Sequence, residues 1–182
     1  VKMLYLMIAC RALLAGVFLI ALAGKIRGRV AFDEFVASIV ALGMFPRAGS
    51  TAAAYAVLGA EAVVILSLAL PSTVLLGFAA AMALLIALTT GILAAMRRGR
   101  RAPCRCFGAS ATPLGTAHVA RNLVLLLAGG AGLTAGAVAG GDGAGAHPVG
   151  IALALVAAAV GVLIVVRLDD LLSLFTPSVP PR

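Results

Sequence analysis

The stretch that decides the fold is Arg97-Arg98-Gly99-Arg100-Arg101-Ala102-Pro103-Cys104-Arg105-Cys106-Phe107-Gly108, a short polar segment with a long apolar run on each side. It holds five of the fourteen basic residues and two of the three cysteines. Of the 182 residues, 63% are hydrophobic and only 11% are charged, with a mean hydropathy of +1.18; that is too little charge to coat a water-facing chain of this length. Lipid must therefore be the solvent for most of the polypeptide. The net charge of +8 would otherwise suggest nucleic acid. No basic face interleaved with base-stacking aromatics is present, however, and the basic residues crowd the ends of apolar runs as they do in membrane loops. No nucleic-acid partner is expected.

Working back from the loop, the run from Thr73 to Met96 is long enough to cross a hydrocarbon core of about 30 Å as a helix. A turn at Pro71-Ser72 joins it to an earlier run, Thr51 to Leu70, with Glu61 near its midpoint. The first run, Met3 to Ala23, contains Cys10 and Arg11. Its Ala21-Leu22-Ala23 end resembles a signal-peptidase site, but the run is long for a signal sequence and carries an internal arginine, so it is expected to be retained. Between these runs, Phe32, Phe35, Val36, Ile39 and Val40 recur at helical spacing, with Asp33 and Glu34 expected in the first turn. Gly43 and Pro46 end this helix, which is too short to span and is expected on the membrane surface. Forward of the loop, Thr116 is the expected N-cap of a fourth span ending near Gly140. A Gly-rich hairpin then leads to a fifth span, Val149 to Val166. The expected fold is an all-α, polytopic transmembrane helix bundle of about five spans, forming a single integral membrane domain over residues 1–182 with a flexible tail at 168–182.

Charge sets the orientation. The side carrying the N-terminus, the Pro71 turn and the Gly-rich hairpin has only Lys2. The other has Lys25, Arg27, Arg29, Arg47, the five arginines of the cysteine loop, Arg167 and Arg182. Basic loops stay inside, so the loop at 97–115 is expected to face the cytoplasm and the N-terminus the outside of an inner or plasma membrane.

The loop carries the candidate chemistry. Cys104 and Cys106 lie two residues apart, with Cα atoms about 6–7 Å apart when extended, at the upper limit of disulfide reach. A bond between them closes a tight, readily reduced ring, and Arg101 and Arg105 favour the thiolates. A labile redox pair is the expected reading, with two free loop thiols of no chemical role as its alternative. A metal site using both cysteines and His118 is one ligand short of the usual zinc set, so no metal is assigned. Glu61 lies where an ionised carboxylate is costly, and Arg121 or Arg11 is its expected partner. Its role as proton carrier or quinone ligand stays open beside that of a structural ion pair. His118, Arg121 and Asn122 share one side of the fourth span's first turns, where His118 is placed either to accept a thiol proton or to do no more than hydrogen-bond at the interface. Cys10, far from the loop, is expected to pack. Gly132, Gly136 and Gly140 form a small-residue face suited to a seam inside the bundle or to a homodimer.

Several of these residues together resemble one family. They are Ala23-Gly24-Lys25 at the end of the first span, Leu42-Gly43-Met44-Phe45-Pro46 closing the short helix, Glu61, Cys104-Arg105-Cys106-Phe107-Gly108, and Arg121-Asn122. The resemblance is to the methylamine utilisation protein MauE family within the DoxX-like small membrane proteins, over roughly residues 8 to 135. It implies a four-helix core plus one further span, a role in maturing the disulfide-rich small subunit of methylamine dehydrogenase, and a thioredoxin-like protein or disulfide client as partner. On this reading Cys104 and Cys106 are the redox pair, Arg105 stabilises a thiolate, His118 handles the proton, and Lys25, Glu61, Arg121 and Asn122 form intramembrane polar support. A lipid quinone as cofactor is an expectation by analogy with other membrane thiol oxidoreductases. A non-enzymatic assembly or export factor, and a small-solute transporter, are the alternative readings.

Overall fold

The computed structural model describes residues 2–43, 46–99, 116–139 and 147–168. They form six α-helices: α1 (Lys2–Ile26), α2 (Arg29–Leu42), α3 (Arg47–Ala69), α4 (Val74–Arg97), α5 (Thr116–Ala139) and α6 (Pro148–Val166). All but α2 are long and apolar enough to cross a membrane. No strand occurs among the described residues, and the fold is the all-α polytopic bundle expected from the apolar runs. Residues 100–115 of the cysteine loop, 140–146 of the Gly-rich hairpin and the tail beyond residue 168 lie outside the described residues.

The helix starts differ from expectation by about a turn in two places. α2 begins at Arg29 rather than Phe32, the Phe32 amide bonding back to the Gly28 carbonyl, so Asp33 and Glu34 fall in its second turn. α3 begins at Arg47 because the Pro46 carbonyl accepts from both the amide (2.9 Å) and the hydroxyl (3.2 Å) of Ser50. Gly43 ends α2 in the left-handed region (φ 65°), a conformation that costs glycine little. A 3-10 turn, Pro71–Thr73, links α3 to α4, fixed by the Thr73 hydroxyl on the Ser67 carbonyl (2.9 Å).

α1 is the hub, touching every other helix. Its buried residues Leu4, Met7, Leu14, Val17, Phe18 and Ala21 recur every three or four positions along most of the helix. Across the core, Cys10 and Phe78 meet Gly132, and Met7 and Leu75 meet Gly136, so α5 runs antiparallel to both α1 and α4. A methyl at Gly132 would stand 2.3 Å from the Phe78 ring and 2.9 Å from the Cys10 Cβ; only glycine allows this approach. Gly132 and Gly136 are therefore buried in a seam within one chain, the first of the two arrangements their spacing permitted, while Gly140 lies outside the described residues. α6 packs on α1 in parallel, with Gly150 against Tyr5 and Gly161 against Leu13; the Tyr5 hydroxyl accepts from the His147 amide (2.9 Å). The outward faces are as apolar as the core (Leu66, Leu76, Leu127, Leu153 and Leu163 are all exposed), as a lipid-facing surface requires.

Candidate functional site

The end of the bundle from which the cysteine loop leaves is bounded by the last turns of α1 and α4, the first turns of α3 and α5, and α2. Buried polar residues gather in that half: Lys25, Ser50, Glu61, His118, Arg121 and Asn122. At its centre, the Lys25 ammonium reaches the Glu61 carboxylate, Nζ to Oε1, at 2.6 Å, with both side chains 3% exposed. That is short even for a charge-assisted hydrogen bond.

Lys25 stands in the last turn of α1, where a lysine ordinarily extends its ammonium outward to water. Here it turns back along its own helix. Nζ donates to the Ala21 carbonyl one turn earlier (3.3 Å) and lies 5.0 Å from the centroid of the Phe35 ring on α2. Carboxylate, carbonyl and aromatic face together replace the water that the ammonium gives up. Phe35 is itself buried, packed with Ile39 against Ala54 of α3. α2 thus covers the pair rather than simply floating on the surface.

The expected partners of Glu61 are corrected by this geometry. Among the described residues its second oxygen, Oε2, accepts no hydrogen bond, so neither Arg121 nor Arg11 is its partner. Arg11 serves a different end of the molecule: its guanidinium donates to the carbonyls of Leu68 and Ala69 (2.6 Å for the latter), at the C-terminus of α3. Helix-end carbonyls have no partner within their own helix and carry partial negative charge, so a cation from α1 caps them. Arg11 is held there because α1 and α3 are antiparallel, which puts it at the Pro71 end and Lys25 at the other.

At the start of α5, Arg121 is buried with 1% exposure, flanked by buried His118 and Asn122. Asn122 donates from Nδ2 to the Thr89 hydroxyl of α4 (3.0 Å), and Thr89 donates onward to the Leu85 carbonyl (2.6 Å). The half is thus tied twice across helices, α1 to α3 by Lys25–Glu61 and α5 to α4 by Asn122–Thr89. Phe35 and Thr89 were not singled out from sequence. Phe35 was legible only as one apolar position of α2, and Thr89 is one of two adjacent threonines in an apolar span, with nothing but packing to choose it. Cys104, Arg105 and Cys106 lie outside the described residues. Cys10 is a buried free thiol opposite Gly132, about 24 Å along α5 from Thr116 by helix rise. Among the described residues, no three metal-ligating side chains converge.

Such an arrangement defines a small multi-pass α-helical membrane protein, with four core spans tied by buried polar contacts at one end and a fifth span laid against the first. The family model of methylamine utilisation protein MauE matches residues 3–135. That is more than half of the chain, which belongs to this family. The match takes in α1 to α4 and most of α5, and stops short of α6, so the four-span core is the family's part. No curated protein and no solved structure matches the chain.

Proposed function

We propose that this protein exchanges thiols and disulfides at the membrane, using Cys104 and Cys106, in the maturation of a disulfide-containing partner. Membership of the MauE family over a span that includes both cysteines carries the reading. The helices flanking the loop supply physical support. His118, Arg121 and Asn122 lie in the first turns of α5, just after the loop, and Arg97 and Arg98 open the loop at the end of α4. This basic setting favours thiolates.

One thiolate attacks a disulfide sulfur of the partner, forming a mixed disulfide and releasing the partner's second sulfur as thiolate. The neighbouring cysteine then attacks the first, freeing the partner as a dithiol and leaving Cys104–Cys106 oxidised. Two electrons have passed to the partner. A thioredoxin-like dithiol restores the pair, its own cysteines becoming the disulfide. Lys25–Glu61 and Asn122–Thr89 hold the four helices that frame the loop, and His118 takes up the thiol proton. By the positive-inside rule the pair lies on the cytoplasmic face.

Alkylation of the full chain in proteoliposomes, poised in dithiol/disulfide buffers, tests this. Cys104 and Cys106 should lose and regain reactivity together as a two-electron couple, and Cys104→Ser or Cys106→Ser should abolish that couple. Two cysteines that stay alkylated at every poise would sink the redox reading. Client maturation unaffected by both serine substitutions would leave a docking factor in its place.

A further inference from the structure

A groove of about 510 Å³ runs between α2, α3 and α4, lined by residues that include Phe35, Ile39, Val57, Leu84, Leu88 and Gly91. Its two hydroxyls are turned to their own helices, Ser38 to the Phe35 carbonyl (2.7 Å) and Thr90 to the Ala87 carbonyl (2.9 Å). The walls therefore suit a hydrocarbon occupant. At Thr90 and Ala94 the groove adjoins a second hollow of about 450 Å³, whose remaining walls are Leu93, Arg97 and Arg98. Both arginines are exposed, and no carboxylate among the described residues pairs with them.

We propose that the groove and the adjoining arginine pair form a docking site for one anionic phospholipid. An acyl chain lies between α2, α3 and α4, and the phosphate rests on Arg97 and Arg98. Dimensions and charge both point this way. From Leu84 to Ala94 the α4 wall of the groove rises about 15 Å, the hydrocarbon depth of one leaflet, half of a core of about 30 Å. Arg97 and Arg98 follow one turn later, at headgroup level, where basic residues between spans recognise anionic headgroups. An apolar slot continuous with two exposed guanidinium groups fits a molecule with a tail and a negative head; free phosphate would leave the slot unused. The seated chain also touches Phe35, whose ring covers the Lys25 ammonium, so the lipid packs against the wall of the buried pair.

Native mass spectrometry of the full chain, delipidated in detergent and titrated with equimolar dioleoyl-phosphatidylglycerol and dioleoyl-phosphatidylcholine, tests the proposal. One phosphatidylglycerol should be retained per chain with a preference of about thirtyfold, each basic group contributing about fivefold. Arg97→Gln with Arg98→Gln should bring the preference near unity while a lipid still binds. Ala87→Phe, or Ala53→Leu from the opposite wall should the first variant fail to fold, should fill the slot and lower retention of both lipids. Equal binding of the two lipids to the natural chain, unsaturable binding, an unchanged preference in the arginine variant, or undiminished retention by a folded slot-filled variant would each overturn it.

Discussion

The α5 seam toward the Pro71 turn and the polar cluster toward the cysteine loop are held together by opposite means, although α1 and α3 also meet through Arg11 at the Pro71 end. Toward the Pro71 turn, α1, α4 and α5 meet through glycine and apolar side chains: Gly132 under Phe78, Gly136 under Leu75 and Met7, with Cys10 filling the gap between them. Toward the cysteine loop, the same helices and α3 are joined by an ammonium, a carboxylate, an amide and a hydroxyl. Lipid is as apolar as a protein core, so burying leucine between spans gives little advantage over leaving it in the bilayer. Close backbone approach solves that problem at one end. At the other, polar groups that lipid cannot satisfy have to find one another, which specifies who pairs with whom. The first kind of contact favours tight packing. The second fixes the geometry of the end on which the proposed chemistry depends.

The comparison breaks most visibly at Lys25. Removing the ammonium in Lys25→Ala leaves the Glu61 carboxylate buried and alone, and breaking a buried pair on one side costs about 3–5 kcal/mol. Thermal unfolding in detergent should show the largest loss of any single change considered for this bundle. The double replacement Lys25→Met with Glu61→Leu removes both charges and should recover most of that loss. If the double variant is as unstable as the single, the pair is not a tie between α1 and α3. A polar end that depends on matched partners predicts this strong non-additivity; a greasy seam does not.

At the opposite end, the sharpest test is Gly132→Val. Its Cβ would start 2.3 Å from the Phe78 ring, forcing α5 away from α1 and α4. Overpacking of this kind typically costs about 1–3 kcal/mol. Gly130→Val, on the same helix with nothing within 4 Å, should be almost silent. Phe78→Ala should rescue Gly132→Val in part, because it vacates the contact. Equal sensitivity at Gly130 and Gly132 would mean that helix propensity, not close approach, explains the loss.

Much of this architecture was legible in residue order, for an identifiable reason. A bilayer demands runs of a certain length, so the five spans and their polar breaks stand out without any knowledge of contacts. The inward face of each span does not, because lipid-facing Leu127 and buried Leu125 look alike; small residues such as Gly132 were the visible clue. The site was half legible. Glu61, Arg121 and Asn122 stood out as polar groups in apolar runs, Lys25 only through the family resemblance, and all four prove buried. The pairing did not, since depth alone made Arg11 and Arg121 better candidates for Glu61 than a lysine in the last turn of α1. What reversed the choice was tertiary. α2 folds back with Phe35 over that turn, closing the outward path and leaving Lys25 the carboxylate, a carbonyl and a ring.

The smallest expected effect concerns the second polar tie. Asn122→Leu removes the amide donor to Thr89, but the Thr89 hydroxyl keeps its own bond to Leu85, so no donor is stranded on α4. Hydrogen bonds between spans average about 0.6 kcal/mol, and a loss near that size is expected in the same unfolding measurement. Thr89→Val in the Asn122→Leu background should add little, because the interaction is already gone. Thr89→Val alone should cost more than Asn122→Leu alone, since it leaves the buried Asn122 amide without its acceptor. That asymmetry separates a specific tie from two polar residues that merely tolerate burial. Equal losses from the two single changes, adding in full in the double, would show that Asn122 and Thr89 stabilise their helices independently. The case for a polar tie between α4 and α5 would then fall.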